Sequence, residues 1–295
     1  MSVKGKIVTD MIRFFTSQKM LGPKIQDGTL RKNLVEPPWH CPDEYLNLPI
    51  HMRQFEMELL TPKAADNGEV VLQLHGGGYI AKIRNAYRDF AVRYSKIDQY
   101  RVLSVDYRVA PQHPYPAAFQ DALEAYRWLL YSGFSGERII LAGDSAGGGL
   151  VLALAMYLRD QSMPLPKKLV MMSPWTDLTA SGPSYQENYE NDPLFGNTRE
   201  SMIYNGEYAG KQDPKQPYIS PLFGDFHGLP PMLFQVGSLE MLLSDSVLAA
   251  QKAKEAGCDV TLTVYQDMFH VFQLSMDKLA ESRAAWDEVA AFLGK

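Results

Sequence analysis

The chain has 295 residues, which is enough to bury a large core as one large α/β domain or as two smaller domains. Its formal net charge of -5 leaves no surplus of basic residues, so the sequence gives no electrostatic basis for binding nucleic acid or an anionic membrane surface. No run of about 18 apolar residues occurs, and we therefore predict no transmembrane helix.

The cysteines and the N-terminal segment both give information about the cellular compartment of the protein. Cys41 and Cys258 are far apart in the sequence, and nothing in their spacing indicates a disulfide. The first 20 residues include the charged side chains Lys4, Lys6 and Asp10, and their apolar runs are too short for the hydrophobic region of a signal peptide. We predict a cytoplasmic protein.

The first 45 residues lack the pattern of a strand that would begin a sheet. Val8, Met11, Ile12 and Phe15 recur at helical spacing and predict a short amphipathic helix. We interpret the block 1–45 either as a helical arm that forms part of a cap or as a simple extension packed on the surface.

From residue 53 onward, predicted strands alternate with predicted helices. The strands are predicted at 53–60, 69–74, 100–105, 139–142, 168–173, 231–236 and 259–265. The helices are predicted at 85–97, 119–131, 148–159, 244–256 and 274–293. This order is typical of a mostly parallel sheet that helices cover on both faces.

One long segment, 177–216, interrupts the alternation. It is rich in Tyr, Asn, Ser and Gly, and it has only short stretches of helical pattern. Because it is too long for a simple connection, we interpret it as an insertion that covers one end of the sheet.

The sequence Gly-Asp-Ser-Ala-Gly at 143–147 joins a predicted strand to a predicted helix. It places Ser145 at the apex of a tight turn, where Gly143 and Gly147 allow the strand and the helix to pass close together. The amide of Ala146 would lie unpaired at the start of the helix. This pattern is typical of a nucleophile elbow, although by itself it also fits an ordinary Gly-rich turn.

A nucleophilic serine needs a base and an orienting acid, which in an open α/β sheet lie beyond the carboxyl ends of the strands. Of the 6 histidines, His270 is the one that follows the last predicted strand, and we predict it to be the base rather than a solvated surface residue. Glu240 and Asp245 both follow the strand at 231–236. Glu240 is nearer to the strand end and is the predicted acid, whereas Asp245 is expected to begin the next helix.

A glycine-rich segment follows the strand at 69–74. Its three glycines, Gly76, Gly77 and Gly78, allow backbone N–H groups to converge on one point. Together with the amide of Ala146, these groups are predicted to form an oxyanion hole. His75 precedes the glycines, and we expect it to brace the loop through hydrogen bonds.

Two alternatives come from other classes of protein. The spacing of Gly76, Gly78 and Ala81 also fits a dinucleotide-binding fingerprint, in which Asp106 would bind a ribose. That interpretation leaves the serine elbow and His270 without a role. A non-catalytic ligand-binding protein on the same fold is expected to lack the base, so His270 also argues against this second alternative.

Five segments together carry a family likeness. They are His-Gly-Gly-Gly at 75–78, Tyr-Arg-Val-Ala-Pro-Gln-His-Pro-Tyr-Pro-Ala-Ala at 107–118, Gly-Asp-Ser-Ala-Gly-Gly at 143–148, Ser-Pro-Trp-x-Asp-Leu at 173–178 and Met-Phe-His at 268–270. Over residues 50–295 the chain resembles the hormone-sensitive-lipase-like (family IV) bacterial esterases. The resemblance implies an α/β-hydrolase fold with a helical cap, with Ser145 as the nucleophile and His270 as the base.

The resemblance also assigns the oxyanion donors and shows one departure. It implies that the amides of Gly77, Gly78 and Ala146 hold the oxyanion, while Gly76 shapes the loop. Many members have Asp in the acid position, where this chain has Glu240. Glu serves as the acid in other α/β-hydrolases.

The expected organisation has four sections. These are an N-terminal helical arm that is part of the cap (1–45), the first part of the α/β-hydrolase core (46–176), the cap insertion (177–216) and the second part of the core (217–295). Aromatic side chains are expected to line the acyl pocket, with plain core packing as the alternative for each: Phe14, Phe15, Tyr79, Trp175 and Tyr185.

The combined expectation is a serine carboxylesterase for small-molecule esters with short- to medium-chain acyl groups. It would use a Ser-His-Glu triad and an acyl-enzyme intermediate, and it would require no metal or cofactor. A lactone or an amide could be hydrolysed by the same groups. The last predicted strand would leave an open sheet edge, where a homodimer contact could form.

Overall fold

The structure is a computed structural model that describes residues 2–16, 36–64, 66–196 and 207–294, with side chains given from residue 36 onward and for 2–12. Its eight strands are β1 Tyr45–His51, β2 Glu56–Pro62, β3 Val70–Leu74, β4 Arg101–Asp106, β5 Ile139–Asp144, β6 Lys168–Met172, β7 Met232–Gly237 and β8 Val260–Tyr265. They form one sheet in the order β1-β2-β4-β3-β5-β6-β7-β8. Strands β3 to β8 run parallel to one another, which confirms the predicted mostly parallel sheet.

The antiparallel end of the sheet differs from the sequence prediction. Strand β1 was not predicted, and it pairs antiparallel with β2, which in turn pairs antiparallel with β4. The sheet therefore begins at Tyr45, one residue inside the block that we expected to be a helical arm. Leu46 and Leu48 are about half exposed, and Pro49 interrupts the pattern, as is common in edge strands.

Helices cover both faces of the sheet. The described helices are α1 Val3–Thr16, α2 Asn85–Asp98, α3 Ala117–Tyr131, α4 Ser145–Asp160, α5 Ser184–Glu187, α6 Leu243–Glu255 and α7 Ala280–Leu293. Of these, α2, α3, α4, α6 and α7 pack against strands of the sheet. The last helix begins later than predicted, because Phe272–Lys278 forms a 3₁₀ segment with a left-handed residue at Met276. In the part of the chain that the structure describes, no helix is both long and apolar enough to cross a membrane.

Alternate side chains of each central strand point into two separate apolar cores, as the two-residue period of a strand requires. On one face, Leu72 and Leu141 pack in the cluster that holds α3, α4 and α6. On the other face, Val71 and Ile140 pack with Trp286 of α7 and with aromatic residues of α2. Covering both faces fixes the strands, so that their carboxyl ends form one rigid edge.

That edge carries the loops of interest. The glycine-rich segment follows β3, the serine follows β5, Ser173 follows β6, Glu240 follows β7 and His270 follows β8. Residues widely separated in sequence meet there because parallel strands place all their carboxyl ends on the same side.

Candidate active site

Ser145 is the first residue of α4 and has a left-handed backbone conformation, with φ of 51°. The helix begins directly after β5, and a Cβ atom at Gly147 would collide with the carbonyl oxygens of Leu74 and His75. Only a glycine allows the helix to lie this close to the neighbouring strand. The tight turn therefore holds the serine side chain at the edge of the sheet, next to the N-terminal amides of α4.

Three buried side chains form a hydrogen-bonded row at this edge. Ser145 Oγ lies 2.9 Å from His270 Nε2, and His270 Nδ1 lies 2.8 Å from Glu240 Oε2. An ionised carboxylate only accepts hydrogen bonds, so Nδ1 carries the proton and Nε2 is left to accept from the serine hydroxyl. Because Ser145 and His270 are 7% and 6% exposed and Glu240 is 0% exposed, the row is largely shielded from water.

The second carboxylate oxygen of Glu240 is also bound. Oε1 accepts hydrogen bonds from Ser173 Oγ at 2.7 Å and from the amide of Gly237 at 2.5 Å. The Ser173 hydroxyl oxygen in turn accepts from the amide of Val271, which follows the histidine. Ser173 therefore contacts both the acid and the histidine loop, a role that we did not predict although its Ser-Pro-Trp motif was noted.

Asp245 lies in the first turn of α6, as expected, but its carboxylate contacts a different loop. Oδ2 accepts the amides of Thr176 and Asp177 at 2.7 and 2.8 Å. Burial raises the pKa of Asp245 to about 8. The Asp245 carboxyl group thus contacts residues other than His270, whose partner is Glu240.

The glycine-rich loop leaves two of its amides unpaired. The amide of Gly76 donates to Asp144 Oδ1 at 3.0 Å, so it is engaged and not available to an oxyanion. This corrects the inclusion of Gly76 among the oxyanion groups and fits the loop-shaping role. The amides of Gly77, Gly78 and Ala146 donate no hydrogen bond within the described ranges of the chain.

Asp144 joins the glycine loop to the serine turn, which the sequence did not reveal. Its Oδ2 accepts the hydroxyl of Tyr87 at 3.1 Å, while Oδ1 holds the amide of Gly76. Burial raises the pKa of Asp144 to about 6, against the opposing effect of the Tyr87 hydrogen bond. A conspicuous signal was available, since this carboxylate directly precedes Ser145.

His75 is buried inside the base of the loop. Its Nδ1 lies 2.7 Å from the carbonyl oxygen of Gly76, and its ring stacks on Tyr107 with centroids 4.1 Å apart. The Tyr107 hydroxyl donates to the His75 carbonyl oxygen. Burial lowers the pKa of His75 to about 4, so its imidazole is neutral at pH 7.

Three of the expected pocket residues, Tyr79, Trp175 and Tyr185, are almost fully buried in the larger apolar core. The Trp175 amide donates to the Ser145 carbonyl oxygen at 2.8 Å, and the Tyr79 ring lies 6.2 Å from that of Trp175. The Tyr185 hydroxyl donates to the carbonyl oxygen of Asp177. All three therefore have core packing partners, while the side chains of Phe14 and Phe15 lie outside the described part of the chain.

Two aromatic residues of the insertion lie near the site although they are not among the expected pocket residues. The Tyr208 ring stacks on Tyr79 with centroids 3.6 Å apart, and the Phe195 ring lies 4.8 Å from that of His270. The abundance of aromatic residues at 177–216 was the available signal. Among the described residues, no cluster of three or more His, Cys, Asp or Glu is arranged to hold a metal ion.

Comparisons with known proteins identify the family. Residues 71–274 match the model of a family with the alpha/beta hydrolase fold. An acetyl-hydrolase of Streptomyces hygroscopicus is 39% identical over 230 residues, which are 78% of this chain and 77% of that protein. An esterase of Acinetobacter venetianus is 35% identical over 224 residues, 76% of this chain and 74% of that protein.

Comparison with solved structures leads to the same family. The esterase EstE5, in a crystal soaked with p-nitrophenyl butyrate, superimposes with a TM-score of 0.89 at 34% identity, covering 99% of this chain and 98% of that one. An esterase of the bacterial hormone-sensitive lipase family gives a TM-score of 0.85 at 35% identity, with coverage of 99% and 98%. The chain thus belongs to the hormone-sensitive-lipase-like family of esterases with the α/β-hydrolase fold.

Proposed function

We propose that the protein is a serine carboxylesterase that hydrolyses small-molecule esters through Ser145, His270 and Glu240. The observation that carries the proposal is the continuous row from the Ser145 hydroxyl through both nitrogens of His270 to the Glu240 carboxylate, with separations of 2.9 and 2.8 Å. Such a row makes a serine hydroxyl nucleophilic at neutral pH.

In the proposed first half-reaction, Ser145 Oγ attacks the ester carbonyl carbon while its proton passes to His270 Nε2. Glu240 holds the imidazole in the required tautomer and stabilises the imidazolium that forms. The tetrahedral intermediate then collapses to an acyl-enzyme, and the alcohol leaves with the proton from His270. Water attacks the acyl-enzyme by the same route, which releases the carboxylic acid and restores Ser145.

The oxyanion of each tetrahedral intermediate would be held by the amides of Gly77, Gly78 and Ala146. This assignment is supported by the lack of other partners for these amides within the described residues and by the position of Ala146 at the start of α4. Loss of one such donor typically raises the barrier by about 3–4 kcal/mol. The Asp144 contact to Gly76 would keep the glycine loop beside Ser145.

Short- to medium-chain acyl groups are the proposed substrates. Two observations support this: Tyr79 and Trp175 are tightly packed beside the serine turn, and one relative is named an acetyl-hydrolase. Another relative, from Pseudomonas putida, is named an ethyl acetate hydrolase. Lactones or amides remain the second substrate class, because they would be attacked by the same groups.

A series of p-nitrophenyl esters from acetate to palmitate tests the function, with wild type and Ser145→Ala assayed in parallel. We expect a maximum of kcat/KM at short or medium chains and no activity above background in the variant. Equal rates for wild type and Ser145→Ala would refute the role of the serine. If the wild type turned over no ester, labelling of Ser145 by a serine-reactive phosphonate would separate lactone or amide hydrolysis from a non-catalytic role.

The arm 1–45 and the insertion 177–216 are proposed to form a helical cap over this site. Two contacts support the proposal, since Val8 and Ile12 of α1 pack beside the segment that carries His270, and Phe195 contacts the His270 ring.

A homodimer through the open edge of β8, where Val264 is 42% exposed, is a further proposal that sedimentation would test. The cytoplasmic location stays a prediction, which cell fractionation would test.

A further inference from the structure

The loop that carries Glu240 is hydrogen-bonded to side chains of the insertion. This acid loop, residues 237–243, connects β7 to α6, and its neighbour in the insertion is the segment 184–196. A four-residue helix, α5, opens that segment, and Phe195 lies near its end. The contacts between the two segments come from side chains of the insertion and backbone groups of the acid loop.

Asn188 makes two of these contacts with a single amide group. Its Nδ2 donates to the carbonyl oxygen of Ser238 at 3.0 Å and to that of Glu240 at 2.8 Å. The Ser238 carbonyl belongs to the peptide unit between residues 238 and 239, and the Glu240 carbonyl belongs to the unit between 240 and 241. One side chain therefore holds the backbone on both sides of the Leu239–Glu240 pair. Fixing the backbone at Glu240 limits how far its carboxylate can move from His270.

Asp192 continues the same line of contacts. Its Oδ2 accepts the amide of Met241 at 2.7 Å, directly after the acid. Its Oδ1 accepts the amides of Leu194 and Phe195, at 2.8 and 3.0 Å. One buried carboxylate thus connects the acid loop to the residue whose ring lies against the base.

The opposite side of the acid loop is bound to the histidine loop. The Leu239 amide donates to the Met268 carbonyl oxygen at 3.1 Å, and the Asp267 amide donates to Ser238 Oγ at 2.8 Å. The acid loop is therefore enclosed between the insertion and the loop that carries the base. Its position depends on both neighbours.

We propose that Asn188 and Asp192 are positioning residues, which align Glu240 and His270 by clamping the acid loop and setting Phe195 against the base. The proposal rests on the proposed function, since it assigns these residues to the same triad. It makes the insertion a part of the catalytic alignment as well as a cover. Neither residue contacts Ser145 or the oxyanion donors, so their effect on the reaction is indirect.

The test uses the full chain with Asn188→Ala and Asp192→Asn, which removes the charge but keeps the shape. For either variant we expect kcat for p-nitrophenyl acetate to fall about 10- to 100-fold, the range typical of partners that orient a functional group, with KM unchanged. The rate at which a phosphonate labels Ser145 is expected to fall by the same factor, because labelling needs the same alignment of His270. Each variant's thermal unfolding midpoint establishes that it is folded.

Gln186→Ala is the matched control, since it deletes an exposed amide side chain from the same short helix. It is expected to keep the wild-type kcat, KM and labelling rate. If Asp192→Asn does not fold, Asn188→Ala still decides the matter, because that side chain is only half-buried.

Three results would overturn the proposal. One is a wild-type kcat in the folded Asn188→Ala variant, and another is a raised KM with kcat unchanged, which would assign the segment to substrate binding alone. In both cases an active wild type and an inactive Ser145→Ala would leave the proposed function standing. A wild type that neither hydrolyses esters nor reacts with the phosphonate would remove both proposals together.

Discussion

At the scale of single residues, the two candidate acids have opposite surroundings. Each oxygen of the Glu240 carboxylate has a partner, and one of those partners is His270 Nδ1. The Asp245 carboxylate holds backbone amides of another loop, and burial raises its pKa well above the usual range. The longer side chain of Glu240 still reaches the histidine, so the departure from the family's usual Asp does not disturb the row.

Replacing the two acids separately tests this assignment. Glu240→Ala removes the partner that fixes the His270 tautomer, and we expect kcat to fall about 10³- to 10⁴-fold. Asp245→Ala is expected to lower kcat far less and to lower the unfolding midpoint, since it leaves the amides of Thr176 and Asp177 buried without an acceptor. Assays on folded, purified variants provide the comparison, and the reverse ranking in kcat would exclude Glu240 as the acid.

At the scale of elements, the close approach of α4 to the sheet is what places the serine at the carboxyl edge of the parallel strands. The helix can start directly after β5 because glycine at 143 and 147 avoids collisions with the backbone of the turn and of β3. This approach also brings the N-terminal amides of α4 to the end of the glycine-rich loop. The strand, the turn and the helix therefore act as one unit.

Adding a single methyl group to this unit is expected to destabilise the fold severely. Gly147→Ala places a Cβ atom against the Leu74 carbonyl oxygen, and we expect a loss of more than about 4 kcal/mol in the free energy of unfolding, or failure to fold. Gly133→Ala is the comparison, since Gly133 has φ of 96° with no atom within 4 Å of the added Cβ. That variant should lose only about 1–2 kcal/mol, from its backbone conformation. Equal losses in urea denaturation would show that close approach is not the cause.

At the scale of the whole molecule, buried carboxyl groups make stability depend on pH. Burial raises the pKa of Asp144 to about 6 and that of Asp245 to about 8, whereas in the unfolded chain both titrate near 4. As the pH rises above about 4, the unfolded chain loses these protons first, which favours unfolding. The contribution of each raised pKa to stability is present below pH 4 and is fully lost once the pH exceeds the folded value.

The variant Asp245→Asn isolates the larger of these two pH effects on stability, the one caused by Asp245. The variant cannot ionise at this position, so it lacks the part of the decline that Asp245 causes between about pH 4 and 8. We expect the thermal unfolding midpoint of the variant to rise relative to that of wild type as the pH increases from 5 to 9. Differential scanning calorimetry provides the measurement, and a constant difference across this range would contradict the assignment.

The sequence by itself determined the fold class, and it predicted the serine turn and the candidate groups Ser145, Glu240 and His270 in that chain order. These features are encoded by local pattern and by position after predicted strands. It also identified the loop glycines and His75 from their spacing alone. Strand β1 escaped prediction because an edge strand with one exposed apolar row and a proline has no clear two-residue period.

Only the tertiary structure decided which groups touch. Asp144 against Gly76, Ser173 against Glu240 and Asp192 against Met241 join residues 49 to 68 positions apart. No local pattern encodes such pairs, since they depend on which loops the parallel strands bring to the same edge. The same applies to the unequal roles of Glu240 and Asp245, which are five positions apart in sequence but face different loops because α6 begins between them.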